Sequence, residues 1–105
     1  MSADYQKGEA AYEKCDYEAA LREFKPLAEQ GHADAQYKLG LMYHFGRGVL
    51  KDNVYAHMWF SIAVPSGNKD AYEFRDIVAK RMTSAEISTA KELARECVKK
   101  NFNGF

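Results

Sequence analysis

Apolar residues recur along this chain at helical spacing, and the spacing itself repeats. Ala56, Trp59, Phe60, Ala63 and Val64 fall at i, i+3, i+4, i+7 and i+8, which places five apolar side chains on one stripe of a helix. An earlier stripe keeps Ala20, Phe24, Leu27 and Ala28, with Glu23 in the place of Trp59. Between the two, Ala35, Leu39, Met42 and Tyr43 share one face of a further helix, and Ile87, Ala90, Ala94, Cys97 and Val98 mark a last one. Strand signals are nearly absent.

Asp16, Ala20, Phe24 and Gly31 recur 36 residues later as Asp52, Ala56, Phe60 and Gly67, and Asp34-Ala35 recurs as Asp70-Ala71. A fixed period between about 20 and 50 residues is the mark of a stacked array whose units bury their apolar faces only against their neighbours. The pattern therefore predicts an all-α chain, an α/α solenoid of antiparallel helix pairs with about six helices. Arrays of this kind usually bind other molecules.

Punctuation sets the boundaries. Gly31 and Gly67 each follow an apolar stripe, where a left-handed C-terminal residue is needed and glycine adopts it without a Cβ clash. Gly46 and Gly48, in Gly-Arg-Gly-Val, lengthen the loop inside the second pair relative to the turn at Cys15 and Asp16. Thr83 with Glu86 has the spacing of a capping box and starts a final helix near Ser84. Gly40 lies inside a helix at a propensity cost of roughly 1 kcal/mol, with close approach of the next helix as the compensation, and Gly8 takes the matching place in the first helix. Pro26 removes the hydrogen bond to the Arg22 carbonyl and predicts a kink or an early 3₁₀ ending, whereas Pro65 falls where a helix is closing.

The 105 residues are enough for a single domain with a modest core. Fifteen basic and fifteen acidic side chains cancel, so no global field steers the chain toward nucleic acid or an anionic membrane. The balance is uneven: residues 1–45 hold eight acids and five bases, residues 46–105 seven acids and ten bases. The longest apolar run, Val54 to Val64, is interrupted by His57 and Ser61 and is too short to span a bilayer. No secretory signal precedes Asp4, and the start reads as a native terminus or a trimmed edge. Cys15 at a turn and Cys97 on the final stripe are expected to lie too far apart for a disulfide, which favours a reducing cytoplasm.

Catalytic chemistry finds little support. His32, His44 and His57 with the two cysteines form no ligand pair such as C-x₂-C or H-E-x-x-H, so neither a metal nor another cofactor is expected, although His44 and His57 could face each other across one pair. No nucleophile elbow, P-loop or dinucleotide fingerprint is present, and Gly-Arg-Gly is better explained by turn geometry than as a phosphate cradle. The expectation is that the chain is not an enzyme.

Residues 27–49, Leu-Ala-Glu-Gln-Gly-His-Ala-Asp-Ala-Gln-Tyr-Lys-Leu-Gly-Leu-Met-Tyr-His-Phe-Gly-Arg-Gly-Val, resemble a Sel1-like repeat, and Asp52, Ala56, Trp59, Phe60, Ala63 and Gly67 continue the resemblance. Residues 4–31 are similar to a shorter, divergent first repeat, and 32–67 to a full one. Residues 68–100 resemble the capping helix pair that often closes bacterial members, followed by the tail 101–105. The resemblance implies an α/α solenoid related to tetratricopeptide repeats, coiling as a right-handed superhelix and used as a scaffold or adaptor for proteins or peptides. Some cysteine-rich relatives are linked to penicillin binding or hydrolysis, but they carry a cysteine pair in each repeat, which this chain lacks, along with any Ser-x-x-Lys motif. A fragment of a larger regulatory protein is the alternative reading.

In arrays of helix pairs the first helix of each pair generally lines the concave surface. The outward positions expected there are Tyr5, Glu9 and Tyr12, then Asp34, Tyr37, Leu41 and His44, then Asp70, Glu73, Ile77 and Lys80. An aromatic and apolar centre with a polar rim has the makeup of a protein interface, and tyrosines that seal adjacent repeats are the competing explanation. Because terminal units leave one face uncovered, the ends are expected to favour weak self-association. The tail Asn101-Phe102-Asn103-Gly104-Phe105 has three readings: folded back on the stack, seated in a neighbour's groove, or the cut edge of a longer protein.

Overall fold

A computed structural model describes residues 2–105. Six helices follow one another: α1 (Tyr5–Glu13), α2 (Tyr17–Glu29), α3 (Ala33–Phe45), α4 (Asn53–Ser66), α5 (Asp70–Ala79) and α6 (Ser84–Lys99). No strand occurs among the described residues. The all-α repeat architecture read from the sequence is the one observed.

The repeated residues do repeated work. Asp16 and Asp52 are N-caps whose carboxylates accept from the Ala19 and Tyr55 N–H groups at 3.3 and 3.0 Å, satisfying donors that the first turn leaves orphaned. Gly31 and Gly67 take φ of +89° and +123°. Behind them the His32 and Asn68 N–H groups donate to the Leu27 and Ala63 carbonyls, both at 3.0 Å, the same helix closure 36 residues apart. Thr83 and Glu86 exchange both bonds of the expected capping box.

The pairs α1–α2 and α3–α4 close on a glycine and a phenylalanine. A Cβ at Gly8 would meet Phe24, and one at Gly40 would meet Phe60, which explains two glycines inside helices. Phe24, Ala28, Ala35, Leu39, Met42, Met58 and Trp59 form the main core, and Phe60, Ala56, Ala63, Ala71 and Val78 form a second cluster that joins α4 to α5.

Three local expectations are revised or resolved. Pro26 does not end its helix early: α2 runs one turn further to Glu29, because the Gln30 N–H still bonds to the Pro26 and Leu27 carbonyls and buried Phe24 and Ala28 hold both sides of the proline. The last two helices are not a closely packed pair, since α6 lies against α4. The tail folds back, with Phe102 and Phe105 half-buried against the main core and Phe102 beside Gly31.

Candidate functional site

Several of the side chains singled out on α1 and α3 make contacts between helices. Tyr5 stacks on His32 at 4.9 Å and leans on Phe24 at 5.4 Å. Lys38 reaches across to Glu9 at 4.0 Å and lies over the Tyr12 ring at 5.1 Å. Tyr37 packs on Phe60 and Phe74, each at 5.9 Å between ring centroids. Burial, then the charges of Glu9 and Asp34, push the Tyr5 phenol up to about 12. Burial, with Asp70 and Glu73, likewise raises Tyr37. Both phenols therefore stay protonated hydrogen-bond donors among carboxylates. Tyr5, Tyr12 and Tyr37 thus lie half-buried on α1 and α3, packed against the core, with the charges of Glu9, Asp34, Asp70 and Glu73 around the Tyr5 and Tyr37 phenols.

Two of the expected outward residues do not belong to it. Leu41 is 8% exposed and packs in the second cluster with Phe60 and Val78, and His44 is 7% exposed between Phe45 and Phe74. Both fill the seam between the second and third units, because α5 settles onto that side of α3 and α4. Asp34, Glu73 and Lys80 are exposed, Ile77 is 39% exposed, and Tyr5, Glu9, Tyr12 and Tyr37 are half-buried. A variant that truncates Leu41 therefore tests the core as well as the surface.

The histidines lie in different surroundings. Burial, aided by Lys51 and Arg81, holds His44 below the usual imidazole range. Burial, then Arg75 and Lys91, does the same for His57, whose Nδ1 is 3.3 Å from Ser61 Oγ. Among the described residues no group of three or more His, Cys, Asp or Glu side chains could hold a metal ion. Nor is any helix among the described residues long and apolar enough to cross a membrane.

The Gly-Arg-Gly turn also carries a structural contact that its sequence does not announce. Arg47, between Gly46 and Gly48, donates from Nη1 to the Tyr12 hydroxyl at 2.9 Å and lies over the Phe45 and Tyr17 rings at 4.5 and 5.7 Å. Gly48 makes this possible: its φ is +76°, and a Cβ would stand 3.1 Å from the Tyr17 carbonyl oxygen. The longer loop of the second unit is thereby clamped onto the first. The flanking glycines are the available signal, but nothing local points to Tyr12, 35 residues away.

Residues 33–67, which span α3, its loop and α4, match the Sel1 repeat family. This segment is a Sel1 repeat. Sel1 repeats are typically protein–protein interaction modules and are generally non-catalytic. A stretch of 47 residues is 45% identical to the ERAD-associated E3 ubiquitin-protein ligase component HRD3A of Arabidopsis thaliana, covering 44% of this chain and 7% of that protein. A stretch of 49 residues is 45% identical to the uncharacterized protein NMB1327 of Neisseria meningitidis serogroup B, covering 43% of this chain and 10% of that protein. The chain thus spans a tenth or less of the length of these two relatives.

Proposed function

We propose that this chain is an interaction module that takes a protein or peptide partner on the face formed by α1, α3 and α5. The observation that carries the reading is the joint placement of Tyr5, Tyr12 and Tyr37 with Glu9, Asp34, Asp70 and Glu73, linked across helices by the Lys38 contacts. Tyrosines supply contact area at low entropic cost, and the carboxylates favour a partner segment bearing lysine or arginine. Ile77 and Lys80 extend the surface toward the end of α5. One relative is a component of a ubiquitin-ligase assembly, which agrees with a scaffolding role and assigns no partner to this chain.

The test is affinity capture from the native cell with the wild-type chain and with Glu73→Lys combined with Ile77→Ser. Both positions are exposed, so helicity should be retained. Proteins captured by the wild type should be lost by the variant. An unchanged set of captured proteins would remove the face from consideration.

A further inference from the structure

The first two helix pairs close in the same way, and the third does not. Phe24 and Phe60 each stand eight residues after the N-cap, Asp16 or Asp52, and each covers a glycine of the preceding helix. In the third unit the residue 36 positions after Gly40 is Asp76, and the one eight after the N-cap Thr83 is Lys91. The position of buried Leu39 is taken by Arg75. A carboxylate, an ammonium and a guanidinium cannot close a dry helix interface without a large desolvation cost. The helix α6 accordingly packs on α4, and a cleft of about 470 Å³ opens between α5 and α6.

His57 and Ser61 of α4 line the cleft, with Arg75, Asp76, Lys91 and Arg95 around it. Three cations against one carboxylate leave it basic, the opposite sign to the tyrosine face. No ion pair among the described residues uses any of these four charges. Past Ser61, Ala94 and Arg95, which both cavities share, lies an apolar groove of about 350 Å³ with Ile62, Pro65 and half-exposed Val98.

We propose that the α5–α6 cleft binds a partner peptide in which carboxylate side chains adjoin an apolar one. The carboxylates meet Arg75, Lys91 and Arg95, and the apolar side chain enters the groove beside Ile62 and Val98. Charge complementarity selects the acidic part. The contiguous apolar groove selects a peptide over a small oxyanion, which would gain nothing from it. This surface is separate from the tyrosine face and does not depend on it.

Fluorescence anisotropy with a labelled peptide containing Glu-Glu-Leu-Leu tests the proposal, alongside Gln-Gln-Leu-Leu and Glu-Glu-Gly-Gly versions. Saturable, salt-sensitive binding is expected for the first peptide, with both controls weaker. Lys91→Glu and Arg95→Glu, at exposed positions, should each weaken it about tenfold or more. Val98→Ser should weaken Glu-Glu-Leu-Leu while leaving Glu-Glu-Gly-Gly unchanged, and Glu73→Lys with Ile77→Ser should change neither. Indifference to both charge reversals in variants of native helicity, or no saturable binding at millimolar peptide, overturns the proposal. Equal affinity for Glu-Glu-Gly-Gly, or displacement by millimolar inorganic phosphate at constant ionic strength, also overturns it and leaves an anion pocket only.

Discussion

The ring of Phe60 fills the space that a side chain at Gly40 would need. A Cβ at Gly40 would stand 2.5 Å from Cδ1 and 2.9 Å from Cζ of that ring, and closer still to Cε1. Phe60 is fully buried, so it has no room to swing aside. Gly40→Ala should therefore be destabilising: overpacking of this kind costs about 1–3 kcal/mol, against a gain of about 1 kcal/mol in helix propensity. Gly8→Ala, whose nearest contact with Phe24 would be 2.8 Å, should cost less. Combining Gly40→Ala with Phe60→Leu should recover part of the loss, since the two changes are coupled through one contact. Thermal melts of the three variants decide the point, and a Gly40→Ala protein as stable as the wild type would contradict it.

That pairing is half visible in the amino-acid order. A glycine inside an apolar helix and a phenylalanine on the next stripe indicate a close approach, and the 36-residue recurrence of Phe24 as Phe60 says that it happens twice. Caps, glycine closures and the number of helices are legible for the same reason, because each is a local solution to unpaired backbone groups. The placement of α6 is not, since it depends on which helix offers it a dry surface, and the charges at Asp76 and Lys91 that divert it only acquire meaning in three dimensions. Leu41 and His44 turn inward, against expectation, because helical periodicity divides a helix into faces without saying that α3 is covered on two of them.

Asn68 links two repeats. Its Nδ2 donates to Asp34 Oδ1 at 2.9 Å and its Oδ1 accepts from the Ala71 N–H at 3.0 Å, the place that His32 takes for Ala35 one repeat earlier. Asn68→Ala removes both bonds at a buried position and should cost about 1–2 kcal/mol, the range of a lost cap. Asn68→Asp keeps the cap but brings a second carboxylate to Asp34, so its stability should fall between. Denaturant unfolding midpoints with unchanged slopes would measure this, and an Asn68→Ala midpoint equal to the wild type would reject the role.

Stability should depend on pH through His44 and His57. Both are held below the ordinary value of 6.5 in the folded chain, chiefly by burial, with Lys51 and Arg81 acting on His44 and with Arg75 and Lys91 acting on His57 against Asp76. Below about pH 6.5 the unfolded chain binds protons that the folded chain resists, so the stabilisation present above that pH is lost as pH falls toward the depressed folded values. The slope is at most about 1.4 kcal/mol per pH unit for each histidine. Melting temperature should decline as pH falls below about 6.5, and His57→Gln should make the decline shallower. A profile identical in the variant would show that His57 does not contribute.

The thiols should react at very different rates. Cys15 is exposed at the α1–α2 turn, whereas Cys97 is fully buried in the main core. Burial, with the Glu29 charge adding to it, pushes the Cys97 thiol up to about 11, so at neutral pH it offers almost no thiolate to an electrophile. Reaction at Cys97 has to wait for α6 to leave α4, which ties its rate to the opening free energy of that helix. In the native protein a thiol reagent should label Cys15 quickly and Cys97 at least about a hundredfold more slowly, a ratio that corresponds to about 2.7 kcal/mol of protection. Denaturant should bring the Cys97 rate up to that of Cys15. Val98→Ser, at a half-exposed site on the same helix, should leave the slow phase nearly unchanged, while Trp59→Phe, which thins the core cluster that Cys97 belongs to, should speed it. Equal labelling of the two cysteines in the native state would mean that α6 is not docked on the stack in solution.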